Sequence, residues 1–441
     1  MKTTLVPLSN RAQALGGREL LDRSRPNRPT DDVRTSETRL NRDVVGQRSG
    51  VTTVALLTGG EDRPYALGIA AALTSGGIHL DFIGSDDLSS PELLHNPRIN
   101  FLNLRGDQQP GANVVKKVFR IILYYIRLIR YATTAQPEIF HVLWNNRFQF
   151  FDRTLLMRYY KWLGKKIVLT AHNVNARKRD RNDSFLNRLS LTIQYRLSDH
   201  ILVHTERMKQ ELMSDFGAAE SKISVIPFGI NNTVPNTTLT TAEARRVLDI
   251  DSSDRTLLFF GQIAPYKGLE SLIAAFTEIS KKDGNYRLII AGKPQEGQSY
   301  WSQVERSIAQ SRLRTRIIER IEYIPDDETE LYFKAADVVV LPYARIFQSG
   351  VLFLAYAFGL PVIAADVGSL RDEVIEGETG FVFSSGDALD LARKIDIYFK
   401  SELFHDLENR RAQIKQYANK RYSWDKVATI IKSVYSQLLN I

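Results

Sequence analysis

The stretch RTLLFFGQIAPYKGLESLIAAF (255–276) reads as a strand, a loop and a helix. RTLLFFG is apolar with almost no alternation, as in a strand covered on both faces. Gly261 ends it and lets the backbone turn close to a ligand. The helix begins near Gly268, with Lys267 directly before it. A lysine there reaches an anion held on the free amides of the helix start. A solvated turn lysine is the plain alternative, and spacing leaves both open.

The same rhythm continues in both directions. Downstream come helix 268–280, strand YRLIIAG (286–292), helix 299–312 and strand RIEYIP (320–325). Helix 328–335, strand VVVLPY (338–343), helix 350–358 and strand PVIAAD (361–366) follow. Upstream, VTTVALLTG opens the ordered chain at Val51. A helix from Pro64 ends at Gly76-Gly77, and IHLDFIG is the next strand. Then come INFLNL (99–104), helix 114–134, EIFHVLW (138–144), the helical RTLLMRYYKWLG and KKIVLTAHN. Helix 184–197, HILVHT (200–205), the helical MKQELMSDFG and KISVIPFG complete this half. Strands alternating with helices make an α/β protein with parallel sheets.

A chain of 441 residues exceeds the size at which single cores stop growing. The boundaries expected are a tail at 1–50, Rossmann-like domains at 51–235 and 236–420, and a C-terminal segment at 421–441. Thr241 opens a small helix after the connection. Residues 386–399 and 401–419 are helical by period. In 421–441 the apolar positions 424, 427, 430, 431, 434, 435 and 438 form one helical face. The tail carries ten Lys/Arg against six Asp/Glu and few aromatics, a composition that favours disorder.

Composition excludes several chemistries. There is no cysteine, so disulfides, thiolate metal sites and a cysteine nucleophile are ruled out. GxGxxG does not follow the first strand and no GxxxxGK[ST] occurs, which leaves nicotinamide redox and P-loop hydrolysis unsupported. His200 and His204 are four apart, but HExxH is absent, so no metal is expected. The net charge of +9 favours anionic partners. No run of about 18 apolar residues exists, and the first residues lack a signal-type apolar core, so a cytoplasmic protein is expected. In helix 114–134, Lys116, Lys117, Arg120, Arg127 and Arg130 stand without an acid, with Tyr124, Tyr125 and Tyr131 interleaved. Docking on an anionic membrane and packing on the sheet both fit; nucleic acid is not expected.

Further candidates stand at strand and helix ends. Gln348-Ser349-Gly350 precedes an apolar helix whose free amides, with Val351, form a second anion site. Two such helix starts in one domain suit a diphosphate. His172 closes KKIVLTAHN, beside Asn173. Trp144, Asn145 and Asn146 end the neighbouring strand, and an aromatic with amides suits a carbohydrate face.

These motifs give the chain a resemblance to the retaining glycosyltransferases of family four, which have the GT-B fold of two Rossmann-like domains facing across a cleft. It spans about Val51 to Leu439 and is most specific over Val339–Phe383 and over PFG (227–229) followed by FFGQIAPYKG. It looks closest to bacterial exopolysaccharide, capsule and lipopolysaccharide enzymes. The resemblance implies a nucleoside diphosphate sugar as donor, no cofactor, and a saccharide or polyprenyl-linked acceptor. It places Gly59-Gly60, Gly261, Gln262, Lys267, Ser349, Gly350 and Val351 at the donor diphosphate, and Ile324-Pro325 beside the base. It makes His172 an active-site residue beside the transferred sugar, and sends the helix after Trp424 back to the first domain. The sequence departs from the family twice. Ile346 and Leu354 stand where it commonly has paired glutamates, and Gln262 where many relatives have arginine. A non-catalytic sugar-nucleotide-binding or scaffold protein is the alternative.

Overall fold

The computed structural model describes residues 52–59, 62–108, 113–179, 183–230, 234–295, 299–311 and 313–441. The tail expected at 1–50, and Gly60, lie outside the described residues.

Two parallel sheets organise the chain. The first contains β1 (Thr53–Leu57), β2 (His79–Gly84), β3 (Ile99–Asn103), β4 (Ile139–Val142), β5 (Lys166–Thr170), β6 (His200–Val203) and β7 (Ile223–Val225). Their order is β3-β2-β1-β4-β5-β6-β7. The second contains β8 (Arg255–Phe260), β9 (Tyr286–Ala291), β10 (Ile317–Arg320), β11 (Val338–Leu341), β12 (Val362–Ala365) and β13 (Gly380–Phe383), in the order β10-β9-β8-β11-β12-β13. β4, β6, β11 and β12 are buried along their whole length because helices cover both faces. These are two Rossmann-like domains facing across a cleft, the GT-B arrangement.

Each sheet reverses direction of growth once, between β1 and β4 and between β8 and β11. At such a switch point the connections leave toward opposite faces, and the strand ends stay open as a crevice. The glycines that close β1 and β8 take positive φ there, 63° at Gly59 and 101° at Gly261. A side chain at Gly59 would fall within 2.6 Å of the Trp144 carbonyl.

The helix Trp424–Leu439 packs on helix Arg63–Ser75 of the first domain. Val427, Ala428, Ile431, Val434 and Tyr435 join the apolar cluster of that domain. The Trp424 indole lies against Gly68 and Gly229, and its Nε1 donates to the Ile230 carbonyl at 2.9 Å.

Four local readings change. The strand expected at 320–325 lies at Ile317–Arg320, where it pairs with Leu288–Ala291. Pro325, which has no amide for a ladder, caps helix Asp326–Ala335 instead. The edge strand Gly380–Phe383 was not expected; Gly380 is required there because a Cβ would come within 1.9 Å of the Val362 carbonyl. Thr240, not Thr241, caps helix Thr241–Val247 through a reciprocal box with Glu243. The helix expected at 401–419 is broken into Glu402–His405 and Leu407–Arg421.

Candidate functional site

The carboxyl end of the second sheet gathers the expected anion-binding parts. Lys267 closes a short turn at Pro265–Lys267 and is 6% exposed. Its Nζ donates to the Tyr343 hydroxyl at 2.7 Å and sits 4.1 Å from that ring's centre. The Ser349 hydroxyl lies 3.3 Å from the same oxygen. Tyr343 therefore joins the lysine after β8 to the helix start after β11. Gly268 is needed behind them, because a Cβ would strike the Pro342 carbonyl.

Helix Gly350–Ala357 has Ser349 as its N-cap, with no side-chain capping bond. Its first amides lack partners within the helix by construction. Gly261 lies against Val351: a Cβ there would be 3.4 Å from Val351 Cγ2. Beyond Gly261 and Gln262 opens a cavity of about 560 Å³, lined also by Gly292, Lys293, Tyr323 and Ile324. Ile324 is buried in its wall. Tyr323, 70% exposed, is a flat ring at the rim that the sequence reading passed over.

The first sheet builds a different environment. His172 lies two residues past β5, stacked on Trp144 with centroids 4.2 Å apart and planes 2° from parallel. Tyr65 meets it edge-on at 4.6 Å. Phe228 closes the group and stacks on Phe353 of the second domain at 5.3 Å. Burial, and then the neighbouring His204 and His141, push the His172 imidazole well below its usual range, so the ring is neutral. His172 Nε2 is buried with no hydrogen-bond partner among the described residues. Beside it is a small cavity of about 140 Å³ lined by Asn145, Arg153, Asn173 and Gln194, among others.

The amide candidates separate. Asn145 pairs reciprocally with Gln194, at 2.8 and 3.4 Å, on the wall of that cavity. Asn146, expected on the sugar face, bonds within the protein. Its Oδ1 accepts from the Tyr124 hydroxyl at 2.6 Å and its Nδ2 reaches Asp152 at 3.4 Å, so both ends of the amide are engaged in the protein. Gln348 also turns inward: its Oε1 accepts from Ser369 at 2.6 Å. Of the two arginines that could replace a cation at Gln262, Arg345 lines a cavity of about 660 Å³ between the domains, together with Lys178 and Arg207. Arg371 lies 3.7 Å from Asp366 at the surface.

Residues 64–233 match the family described as Glycosyltransferase Family 4, and residues 240–421 match Glycosyl transferases group 1. The protein is a GT-B relative of the family-four glycosyltransferases. It is 29% identical over 249 residues to the D-inositol 3-phosphate glycosyltransferase of Corynebacterium efficiens, covering 54% of this chain and 57% of that one. The chain thus spans little more than half the length of the curated relatives it matches. Two solved structures share the GT-B fold over 88% of the chain. Sucrose-phosphate synthase from Thermosynechococcus elongatus superposes with a TM-score of 0.71 at 19% identity, covering 99% of that chain. Anabaena HepE in complex with UDP and glucose gives 0.68 at 16%, covering all of it. At the two positions where this family commonly carries glutamates, Leu354 is buried and Ile346 packs against the domain core.

Proposed function

We propose that the protein transfers a hexose, with retention of anomeric configuration, from a nucleoside diphosphate sugar to a lipid-linked saccharide acceptor in surface polysaccharide synthesis. One observation carries this reading: the Lys267–Tyr343–Ser349 chain stands against the open start of helix Gly350–Ala357, with Gly261 leaving room beside it. The leaving diphosphate gathers negative charge as the sugar departs, and stabilising that charge is the main task of the site. In this reading Lys267 and the amides of Gly350 and Val351 stabilise that charge. The base occupies the cavity at Ile324, with Pro325 behind it and Tyr323 at its rim. His172, neutral and clamped by Trp144, orients the sugar. In the family-four mechanism that the resemblance implies, the acceptor attacks from the leaving-group face and the donor phosphate assists its deprotonation.

A thermal-shift screen with UDP-, GDP- and ADP-sugars tests the donor site without an acceptor, and turnover with the stabilising donor tests the chemistry. Stabilisation without turnover on any saccharide acceptor favours the non-catalytic reading, which Gln262, Ile346 and Leu354 keep in play.

The acceptor is placed at the inner face of the plasma membrane, and helix Val114–Thr134 supports that placement. Tyr124, Tyr125 and Leu128 face the core, while Val115, Val118, Phe119, Ile122 and Ile126 stand in solvent. Lys116, Arg127 and Arg130 border this apolar stripe, exposed, with Lys116 4.0 Å from Asp107, while Lys117 is exposed on the side of Tyr124 and Leu128. Arg120 instead bonds the Asp107 carbonyl at 2.8 Å. Apolar residues bordered by cations fit an anionic bilayer surface. Sedimentation with anionic vesicles should weaken with salt and with Phe119→Asp; retention unaffected by either overturns the placement. Among the described residues no helix is long and apolar enough to cross a membrane.

A further inference from the structure

The small cavity beside His172 carries a cation that the transfer chemistry above leaves unused. It opens at the carboxyl ends of β4 and β5, and Arg153 is the arginine in its lining; among the described residues that line it there is no carboxylate. Arg153 is half-buried and held by three bonds. Nη1 donates to Asn187 Oδ1 at 3.0 Å and to Ser190 Oγ at 3.4 Å, and Nη2 donates to Gln149 Oε1 at 3.1 Å. All three partners are neutral. The other end of the Asn187 amide donates to Asp183 at 2.8 Å, so an amide stands between the guanidinium and that carboxylate. Asp152, the carboxylate next in sequence, accepts from the Tyr125 hydroxyl at 2.8 Å.

A guanidinium carries N–H groups on all three nitrogens, five in total. The three bonds above leave Nε–H and one N–H of Nη2 unspent, and these two nitrogens share an edge. Nε is buried with no hydrogen-bond partner among the described residues. A carboxylate or phosphate takes an arginine by such an edge, through paired N–H groups. A purely structural tie is a poor account of the residue. A guanidinium withdrawn from water without a counter-charge costs stability, and a glutamine would link Gln149 to helix Phe185–Leu197 without that cost. Arg153 also stands in a single π-helical turn, Asp152–Leu156, set between helical residues Gln149–Phe151 and Met157–Trp162. That wider turn is rare and recurs at functional sites. The cavity of about 140 Å³ has roughly ten times the room that one water needs, enough for an oxyanion attached to a sugar ring.

We propose that Arg153 binds an oxyanion on the acceptor, the carboxylate of an acidic sugar or the phosphate of a phosphorylated one, in the cavity beside His172. Calling that ligand the acceptor rests on the glycosyl-transfer reading; the anion site itself does not. A neutral saccharide leaves the guanidinium stranded, and the site discriminates against it for that reason. The transferred sugar and the acceptor thus differ in charge, and Arg153 reads the difference.

Calorimetry on the full chain with glucuronate, glucose 6-phosphate and uncharged glucose tests this without any donor. At least one charged probe should bind, with glucose weaker by roughly 10- to 100-fold, the scale of a charged hydrogen bond. Whichever of the two charged probes binds tells carboxylate from phosphate. Glucose binding as well as both, or neither charged probe binding, overturns the proposal, and this comparison needs no variant. Arg153→Gln should lose the preference for charge, and Arg153→Lys, which keeps the cation without the fork, should recover part of it. Lys267→Ala should leave it intact. Charged-probe binding that survives Arg153→Gln and disappears in Lys267→Ala would put the anion at the donor site and overturn the proposal as well. If melting curves show that Arg153→Gln does not fold, Arg153→Lys and the wild-type comparison decide. Charge-selective binding through Arg153 in a protein that turns over no donor supports the anion site and sinks only the transfer reading.

Discussion

The two switch points have the same topology and opposite chemistry. At the end of β8 and β11 a buried cation and an uncapped helix start converge on one tyrosine hydroxyl. At the end of β1 and β4 the corresponding space is filled by Trp144, Tyr65, Phe228 and two neutral histidines. Strand order alone makes each crevice; the residues just past the strands decide whether it attracts charge or excludes it. A transfer reaction needs both, one side to hold the departing anion and the other to align a neutral sugar.

The contrast makes its strongest demand at Lys267. Lys267→Ala should cut turnover by roughly 100- to 1000-fold, about 3–4 kcal/mol of transition-state stabilisation, with a smaller loss of donor affinity. Steady-state rates alongside calorimetric donor binding check this. Near wild-type turnover would dissolve the charged half of the comparison.

The neutral half is tested by acid. Burial lowers His141 to about 3 and His204 to about 4, and His172 moves in the same direction. Below pH 6.5 the unfolded chain takes up protons that the folded rings refuse, so stability is full above that value and falls as pH drops toward 3. His141 alone should cost about 2 kcal/mol between pH 7 and pH 5. His141→Gln cannot ionise but can still bond Thr170 and Tyr435, so its denaturation curves should lose about that much less over the interval. Equal slopes for both proteins would mean that the ring is not neutral in the fold.

Smaller effects sharpen the boundary. Gln262→Arg should tighten UDP or GDP binding by about 1.5 kcal/mol, the scale of one charged hydrogen bond. No gain on titration would show that Arg345 already fills the role. Tyr343→Phe keeps the ring under Lys267 and removes only the hydroxyl, at about 1 kcal/mol of turnover. A loss as large as that of Lys267→Ala would put the phenol itself on the donor.

What the sequence made legible follows the same division. The fold and the positions of Gly59, Gly261, Lys267 and Ser349 were readable, because glycines and helix starts mark strand ends locally. Side-chain direction was not. Tyr343 read as the last residue of a buried strand, and nothing local shows that its hydroxyl meets a lysine 76 positions away. Asn145 and Asn146 are neighbours with the same chemistry, yet one lines the cavity and the other turns to Tyr124 and Asp152. His204 was weighed only as a metal ligand with His200. Its partner lies on the adjacent strand, and His200 bonds Ser224 instead.

The C-terminal helix carries a consequence for synthesis of the chain. The first domain is finished by residues made much later: the Tyr435 hydroxyl lies 2.6 Å from His141 Nδ1, across 294 positions. Trp424 seals Ile230 from 194 positions away. At ~5–20 residues per second, a ribosome takes roughly 10–40 seconds to cross the latter interval. For that time the emerging first domain exposes the helix face around Ala66, Ile69 and Leu73 that belongs under Val427 and Ile431. A nascent chain of this protein should therefore hold chaperones on its first domain until helix Trp424–Leu439 has been made.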